Sequence, residues 1–439
     1  MPSLDRDILR LAVPALGALV AEPLFLLTDT ALVGHLGETE LAGLGVASTL
    51  LQTAVGLLIF LAYATTPAVA RRLGAGDRPG AVKAGIDGMW LALGIGVLLA
   101  LVAWPLAAPL VGLFGSTAAV SAEATTYLTV SLIGLPGMLV VIAATGLLRG
   151  LQDTRTPLVV AVSGFAVNAA LNALLIYGAG WGIAGSAAGT VLAQWGMAAV
   201  YVVMAVRAAR ASGLSLRPGL DGVSGAALAG GWLLLRTASL RTALVASVVV
   251  ATSLGVTELA AFQIALTVFS TLAFILDALA IAGQALVGHS LGADEVDRVH
   301  AVTGRLIRWG IGSGVVLGVL VAAVAPFAGP VFSSSPEVQQ AVTATLLTMA
   351  VGIPLAGFVF VLDGVLIGAG DARYLALAGL VTLVAYLPLL IVVDVVRPPG
   401  VAGLVWLWVA FGFGYIGARA LTLGLRARGS RWIVTGAPA

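Results

Sequence analysis

Leu36-Gly37-Glu38-Thr39-Glu40-Leu41-Ala42 returns later in the chain as Leu254-Gly255-Val256-Thr257-Glu258-Leu259-Ala260, an offset of 218 residues from Leu36 to Leu254. The same offset carries Leu73-Gly74-Ala75 onto Leu291-Gly292-Ala293, and Gly134-Leu135-Pro136 onto Gly352-Ile353-Pro354. It also carries Gly146, Leu148, Gly150 and Asp153 onto Gly364, Leu366, Gly368 and Asp371. Chance agreement among apolar residues accounts for one such block, not for shared charged and glycine positions in four of them without a gap. The chain is an internal duplication.

What is duplicated is apolar. Of 439 residues, 60% are hydrophobic and 10% charged, with 56 Gly and no Cys; the mean hydropathy is +1.09. Soluble domains run at about 45–50% apolar and 25% charged, so too few charges exist here to cover a water-facing surface. Disordered chains are more polar still. A formal charge of +2 with no basic run excludes a nucleic-acid binder. Without Cys there are no disulfides, thiolate chemistry or Cys-ligated metals. Apolar stretches recur at 8–33, 43–70, 86–111, 122–148, 157–178, 184–206, 226–251, 261–288, 306–329, 339–366, 375–396 and 402–424. Each is long enough to cross about 30 Å of hydrocarbon as a helix. Continuous apolar runs also exclude a membrane barrel, whose signature is alternation. The first run is too long for a signal-peptide core and contains Pro14 and Pro23, so no cleaved leader is expected.

Six spans per copy give both copies one orientation, so they are parallel repeats related by an axis along the membrane normal. The expected fold is all-α: twelve transmembrane helices in two six-helix bundles facing each other across a cavity. The expected N-terminal bundle covers 1–206, a linker with Pro218, Gly219 and Gly222 covers 207–223, and the C-terminal bundle covers 224–439. With the N-terminus inside, all 22 Lys and Arg residues except Arg236, Arg241 and Arg397 fall on cytoplasmic segments and helix ends, Arg419 among them. That bias places both termini in the cytoplasm. At 148–157, Gly150 is expected to cap one helix, Asp153 to make the turn or N-cap, and Pro157 to sit in the next first turn. Trp406 and Trp408 read as interfacial anchors.

Several of these segments resemble the multidrug and toxic compound extrusion (MATE) family, in its DinF-like branch. They are Glu22-Pro23-Leu24-Phe25-Leu26-Leu27-Thr28-Asp29-Thr30-Ala31-Leu32-Val33-Gly34-His35-Leu36-Gly37, the turn at 148–157, Ala282-Gly283-Gln284-Ala285-Leu286-Val287-Gly288, and Leu362-Asp363-Gly364-Val365-Leu366-Ile367-Gly368-Ala369-Gly370-Asp371. The resemblance covers nearly the whole chain. It implies secondary active efflux of amphipathic, often cationic compounds, coupled to inward flow of H⁺ or Na⁺. It also implies that Asp29, which matches the Asp of the family motif, is a coupling residue.

The residues themselves point the same way. A charge at a helix centre costs about 2.5–3.5 kcal/mol on insertion scales, and is a functional candidate by default. Asp29 is the first choice for a proton-coupling group, with Glu22 seven residues back on nearly the same face as partner or structural acid. Phe25 shares that face. Asn168 and Asn172, four apart on the fifth span, are placed to bond Asp29 or line a polar pocket together with Gln284. Many family members carry Asn-x-x-x-Asp there, so Asn172 is a departure that makes Asp29 a lone acid. In the second copy Arg236, Arg241, Asp277 and Asp363 form a separate charged set, in which Asp277 and Asp363 are candidate partners for the two cations. The three His residues fall in loops and suggest no metal site, and there is no His-Glu-x-x-His motif or phosphate-binding Gly-Lys-Ser/Thr loop.

The reading is an antiporter, not an enzyme, that exports amphipathic or cationic organic compounds in exchange for H⁺ by alternating access. Na⁺ coupling is one alternative. Another is a lipid-linked oligosaccharide flippase, which would need deep cations for a pyrophosphate headgroup. No cofactor or metal beyond the coupling ion and no nucleic-acid partner is expected. The expected setting is a monomer, multi-pass in a bacterial plasma membrane.

Overall fold

The computed structural model describes residues 2–436; Met1 and residues 437–439, the outer ends of the expected bundles 1–206 and 224–439, lie outside the described residues. Twelve helical spans follow in chain order: α1 Leu4–Gly34, α2 Glu38–Gly74, α3 Arg78–Gly112, α4 Ala118–Leu132 with Leu135–Gly150, α5 Arg155–Gly178, α6 Gly182–Ala211, α7 Leu220–Leu254, α8 Val256–Gly292, α9 Val296–Phe332, α10 Pro336–Gly368, α11 Ala372–Val396 and α12 Val401–Arg428. No strand occurs among the described residues. Each apolar stretch of the sequence falls within one of these spans.

Eleven spans are single apolar helices, and α4 is two helices bent by 52°. The second of these helices, Leu135–Gly150, carries Pro136 in its first turn. Its ring supplies no N–H, so a new helix can begin there without loss. Its counterpart Pro354 lies inside the continuous α10.

Residues 13–230 form one compact unit, and residues 231–436 with 2–12 form the other. In the first, α4 packs on α2, α3 and α6; in the second, α10 packs on α8, α9 and α12. Matched glycines make the two arrangements alike. A Cβ on Gly146 would lie 2.8 Å from the Ala62 carbonyl oxygen, and one on Gly364 would lie 2.5 Å from that of Ala280. Gly96 and Gly314 meet the Cα atoms of Pro136 and Pro354 in the same way. All of these pairs keep the repeat offset. Helices in hydrocarbon gain little from burying apolar surface against each other, so close backbone approach at small residues is what holds such crossings.

Gly150 belongs to this group rather than to the turn after it. The left-handed residue there is Gln152, with φ 62°, while a Cβ on Gly150 would meet the Thr66 carbonyl oxygen at 2.7 Å. Asp153 does make the expected cap, accepting from the backbone N–H groups of Arg155 (3.1 Å) and Thr156 (3.0 Å). Between the copies the chain is non-helical from Ser212 to Gly219. That segment is tied to α3: the Trp90 indole donates to the Leu216 carbonyl at 2.9 Å, Lys83 to the Arg217 carbonyl at 2.9 Å, and the Gly219 N–H to Asp87 at 2.8 Å.

Candidate functional site

A carboxylate within a membrane helix finds no hydrogen-bond partner in lipid and must take its partners from neighbouring helices. Asp29 does so. It is 4% exposed. The Asn172 Nδ2 donates to its Oδ1 at 2.8 Å, the Ser186 hydroxyl donates to the same oxygen at 2.5 Å, and the Tyr127 hydroxyl donates to Oδ2 at 3.2 Å. Donors from α4, α5 and α6 therefore converge on one side chain of α1.

The helical repeat sets Asn168 one turn before Asn172 on the same face of α5. Asn168 donates to Thr190 at 3.0 Å, and Phe25 stacks on Phe165 with ring centres 5.0 Å apart. Gly189 admits Asn172 to the site, because a Cβ there would strike its amide oxygen. Two residues beyond Asn172, α5 widens into a π-helical turn at Leu174–Gly178, a feature often found at functional sites. From that turn Tyr177 donates to the Leu32 carbonyl at 2.5 Å, fixing the end of α1 just past Asp29. Glu22 is exposed and is not among the partners of Asp29.

With the carboxylate ionised, all three partners can donate to it. A proton on Asp29 turns one acceptor into a donor. The hydroxyls of Tyr127 and Ser186 can rotate to accept it, but the Asn172 amino group cannot. Its amide would have to turn and present Oδ1, which is buried without a partner, as is the Oδ1 of Asn168. A proton on either oxygen therefore requires at least one of these contacts to turn round.

The second unit holds a different set. Asp363, 5% exposed, accepts from Arg419 Nη2 at 2.6 Å and from Arg236 Nε at 3.2 Å, and Arg236 Nη2 closes a second contact on its other oxygen. Arg419, grouped by sequence with the orientation-setting cations, is 5% exposed. It lies inside α12, which runs on to Arg428, and its charge is taken up by Asp363. Arg241 is exposed and makes no ion pair among the described residues. Asp277 is half-buried on α8.

The MatE family model matches residues 14–174 and 235–395, one match in each copy of the repeat. The chain belongs to the MatE family, a family of multidrug efflux transporters rather than enzymes. It is 29% identical over 393 residues to Protein DETOXIFICATION 44, chloroplastic, of Arabidopsis thaliana, covering 84% of this chain and 73% of that one. It is 27% identical over 391 residues to DNA damage-inducible protein F of Escherichia coli K12, covering 85% and 82%. Its fold matches the crystal structure of the Vibrio cholerae MATE transporter VcmN in the bent form with a TM-score of 0.88, at 20% identity, over 98% of this chain and 99% of that one. The chain is a multi-pass membrane protein.

In this MATE fold the remaining candidates fall outside both polar sets. Gln284 is 2% exposed, its backbone lies against Gly368, and its side-chain oxygen has no partner. Trp408 is not an interfacial anchor: it is 2% exposed and packs against Phe262, Phe269 and Phe411, whereas Trp406 is 45% exposed. Sequence reading missed Tyr127, Ser186 and Thr190 around Asp29, and Arg419 beside Asp363.

Proposed function

We propose that this chain is a proton-driven antiporter that exports amphipathic organic cations, with Asp29 as the group that takes up and releases the proton. The observation that carries the reading is the convergence of three donors from three helices on one buried carboxylate. Loading the proton on one side turns round at least one of these contacts and favours release of the exported cation. Unloading on the other side restores the ionised site. Each bundle keeps its internal packing while access alternates. A single chain in a bacterial plasma membrane, with both termini cytoplasmic and no cofactor, suffices for this cycle.

The test is reconstitution in liposomes with an imposed pH difference and a fluorescent organic cation. Asp29→Asn keeps the shape and removes the titrating group. Exchange should fall to the level of empty liposomes, while the variant still binds the dye. Full proton-driven exchange by Asp29→Asn would end this assignment.

One observation favours Na⁺ as a second reading. The unpartnered amide oxygens of Asn168 and Asn172, beside a carboxylate, are hard oxygen donors of the kind alkali cations accept. Exchange that needs Na⁺ at constant pH would establish it.

A further inference from the structure

α9 carries the residues of an open groove of about 480 Å³ on the second unit, a size within the range of about 300–1,000 Å³ common to small-molecule sites. Its two ends differ in chemistry. At one end lie Arg305, Arg308 and Trp309; at the other, Val316 and Leu317 of α9 with Ile275 of α8. The eight helical steps from Arg308 to Val316 span about 12 Å along the helix.

The cations at the polar end are not equivalent. Asp5 takes both faces of Arg305, accepting from Nε at 2.5 Å and from Nη2, and it accepts from the Trp309 indole at 2.8 Å. Arg308 is exposed, and its Nε meets only the Gly304 carbonyl at 3.3 Å. It forms no ion pair among the described residues, so the groove keeps one positive charge in excess. Ser313, just below, makes no side-chain hydrogen bond among the described residues. Gly312 forms the notch between them, with open space where a side chain would project.

An exposed guanidinium outside any ion pair, a hydroxyl and an indole above an apolar trough match one kind of ligand: a phosphate bearing an acyl chain. We infer that this groove binds an anionic phospholipid of the leaflet on the arginine-rich side of the membrane. Arg308 and Ser313 hold the phosphate, and a chain runs past Gly312 along Val316, Leu317 and Ile275. A cationic export substrate is repelled by Arg308, and a zwitterionic lipid gains less from it. The inference rests on the fold and its membrane setting, not on the identity of the coupling ion.

Native mass spectrometry of the full chain in mild detergent tests it, using phosphatidylglycerol and phosphatidylcholine with the same chains. The wild type should hold phosphatidylglycerol about fivefold better, the effect of one arginine near a membrane surface. Arg308→Gln should abolish the preference, and Gly312→Leu should reduce retention of both lipids by closing the notch. Arg397→Gln, an exposed cation elsewhere, should leave the preference intact. Equal retention by the wild type, a preference that survives Arg308→Gln, or unchanged retention by Gly312→Leu would overturn the site. So would displacement of phosphatidylglycerol by chain-free glycerol phosphate.

Discussion

In the N-terminal copy, one position of the repeat holds Asp29 and another holds Thr145; in the C-terminal copy the first becomes Ser247 and the second becomes Asp363. The neighbours change with them. Where Asp29 has Asn172, Ser186 and nearby Asn168 and Thr190, Ser247 has Leu390, Leu404, Tyr386 and Trp408 at the matched positions, and its hydroxyl pairs with that of Tyr386 at 2.7 Å. Where Asp363 has Arg419 and Arg236, Thr145 has Tyr201 and Ala18 at the matched positions. Each copy therefore holds one ionisable set, and the position matched to the other copy's acid is neutral. Buried polar groups are replaced as complete sets, because a donor left without its acceptor is costly in a low-dielectric interior. The glycine contacts between helices do not take part in the exchange and are common to both copies.

Substitutions can break this comparison at either level. The largest effect is expected from Asp363→Ala, which leaves two guanidinium groups without their shared acid. Breaking a buried ion pair from one side typically costs about 3–5 kcal/mol, so thermal unfolding in detergent should shift strongly downward. An unshifted transition would mean the set is not tightly enclosed. Next come Gly146→Ala and Gly364→Ala, each adding a Cβ against a backbone carbonyl, at about 1–3 kcal/mol. If the frame is truly duplicated, the two losses should agree within about 1 kcal/mol in the same unfolding measurement. The smallest effect is expected from Ser247→Ala. It removes one neutral hydrogen bond between helices, worth about 0.5–1.5 kcal/mol, beside a local one to the Ala243 carbonyl, and should leave proton-driven dye exchange unchanged. A coupling defect in that variant would show that the neutral pair shares the work assigned to Asp29.

The helices, the repeat and Asp29 were legible in the sequence for one reason: in a chain with so few charges, length, offset and isolation of an acid are all conspicuous. Asn168 and Asn172 followed from helical spacing. Tyr127, Ser186 and Thr190 did not. Hydroxyls are common in these spans and many bond only their own helix, as Thr28 does to the Leu24 carbonyl at 2.9 Å and Thr49 to that of Gly45 at 2.8 Å. Nothing local marks the few that turn toward another helix. Arg419 was missed because a cation near a helix end normally reports orientation. The repeat held the missing signal, since Arg419 falls opposite Tyr201, well inside α6. Trp408 was likewise misplaced, since its neighbour Trp406 is surface-exposed and only tertiary packing separates the two.

The capture of Asp363 by two arginines has a consequence for energetics. With that acid occupied, the second unit's buried carboxylate takes no part in the proposed cycle, which, run on Asp29 alone, carries one proton per turnover. Exchange of that proton for a singly charged cation moves no net charge across the bilayer. Such an exchanger is electroneutral: a potassium–valinomycin potential across the liposome should leave its rate unchanged, and the pH difference alone sets how far it concentrates its cargo.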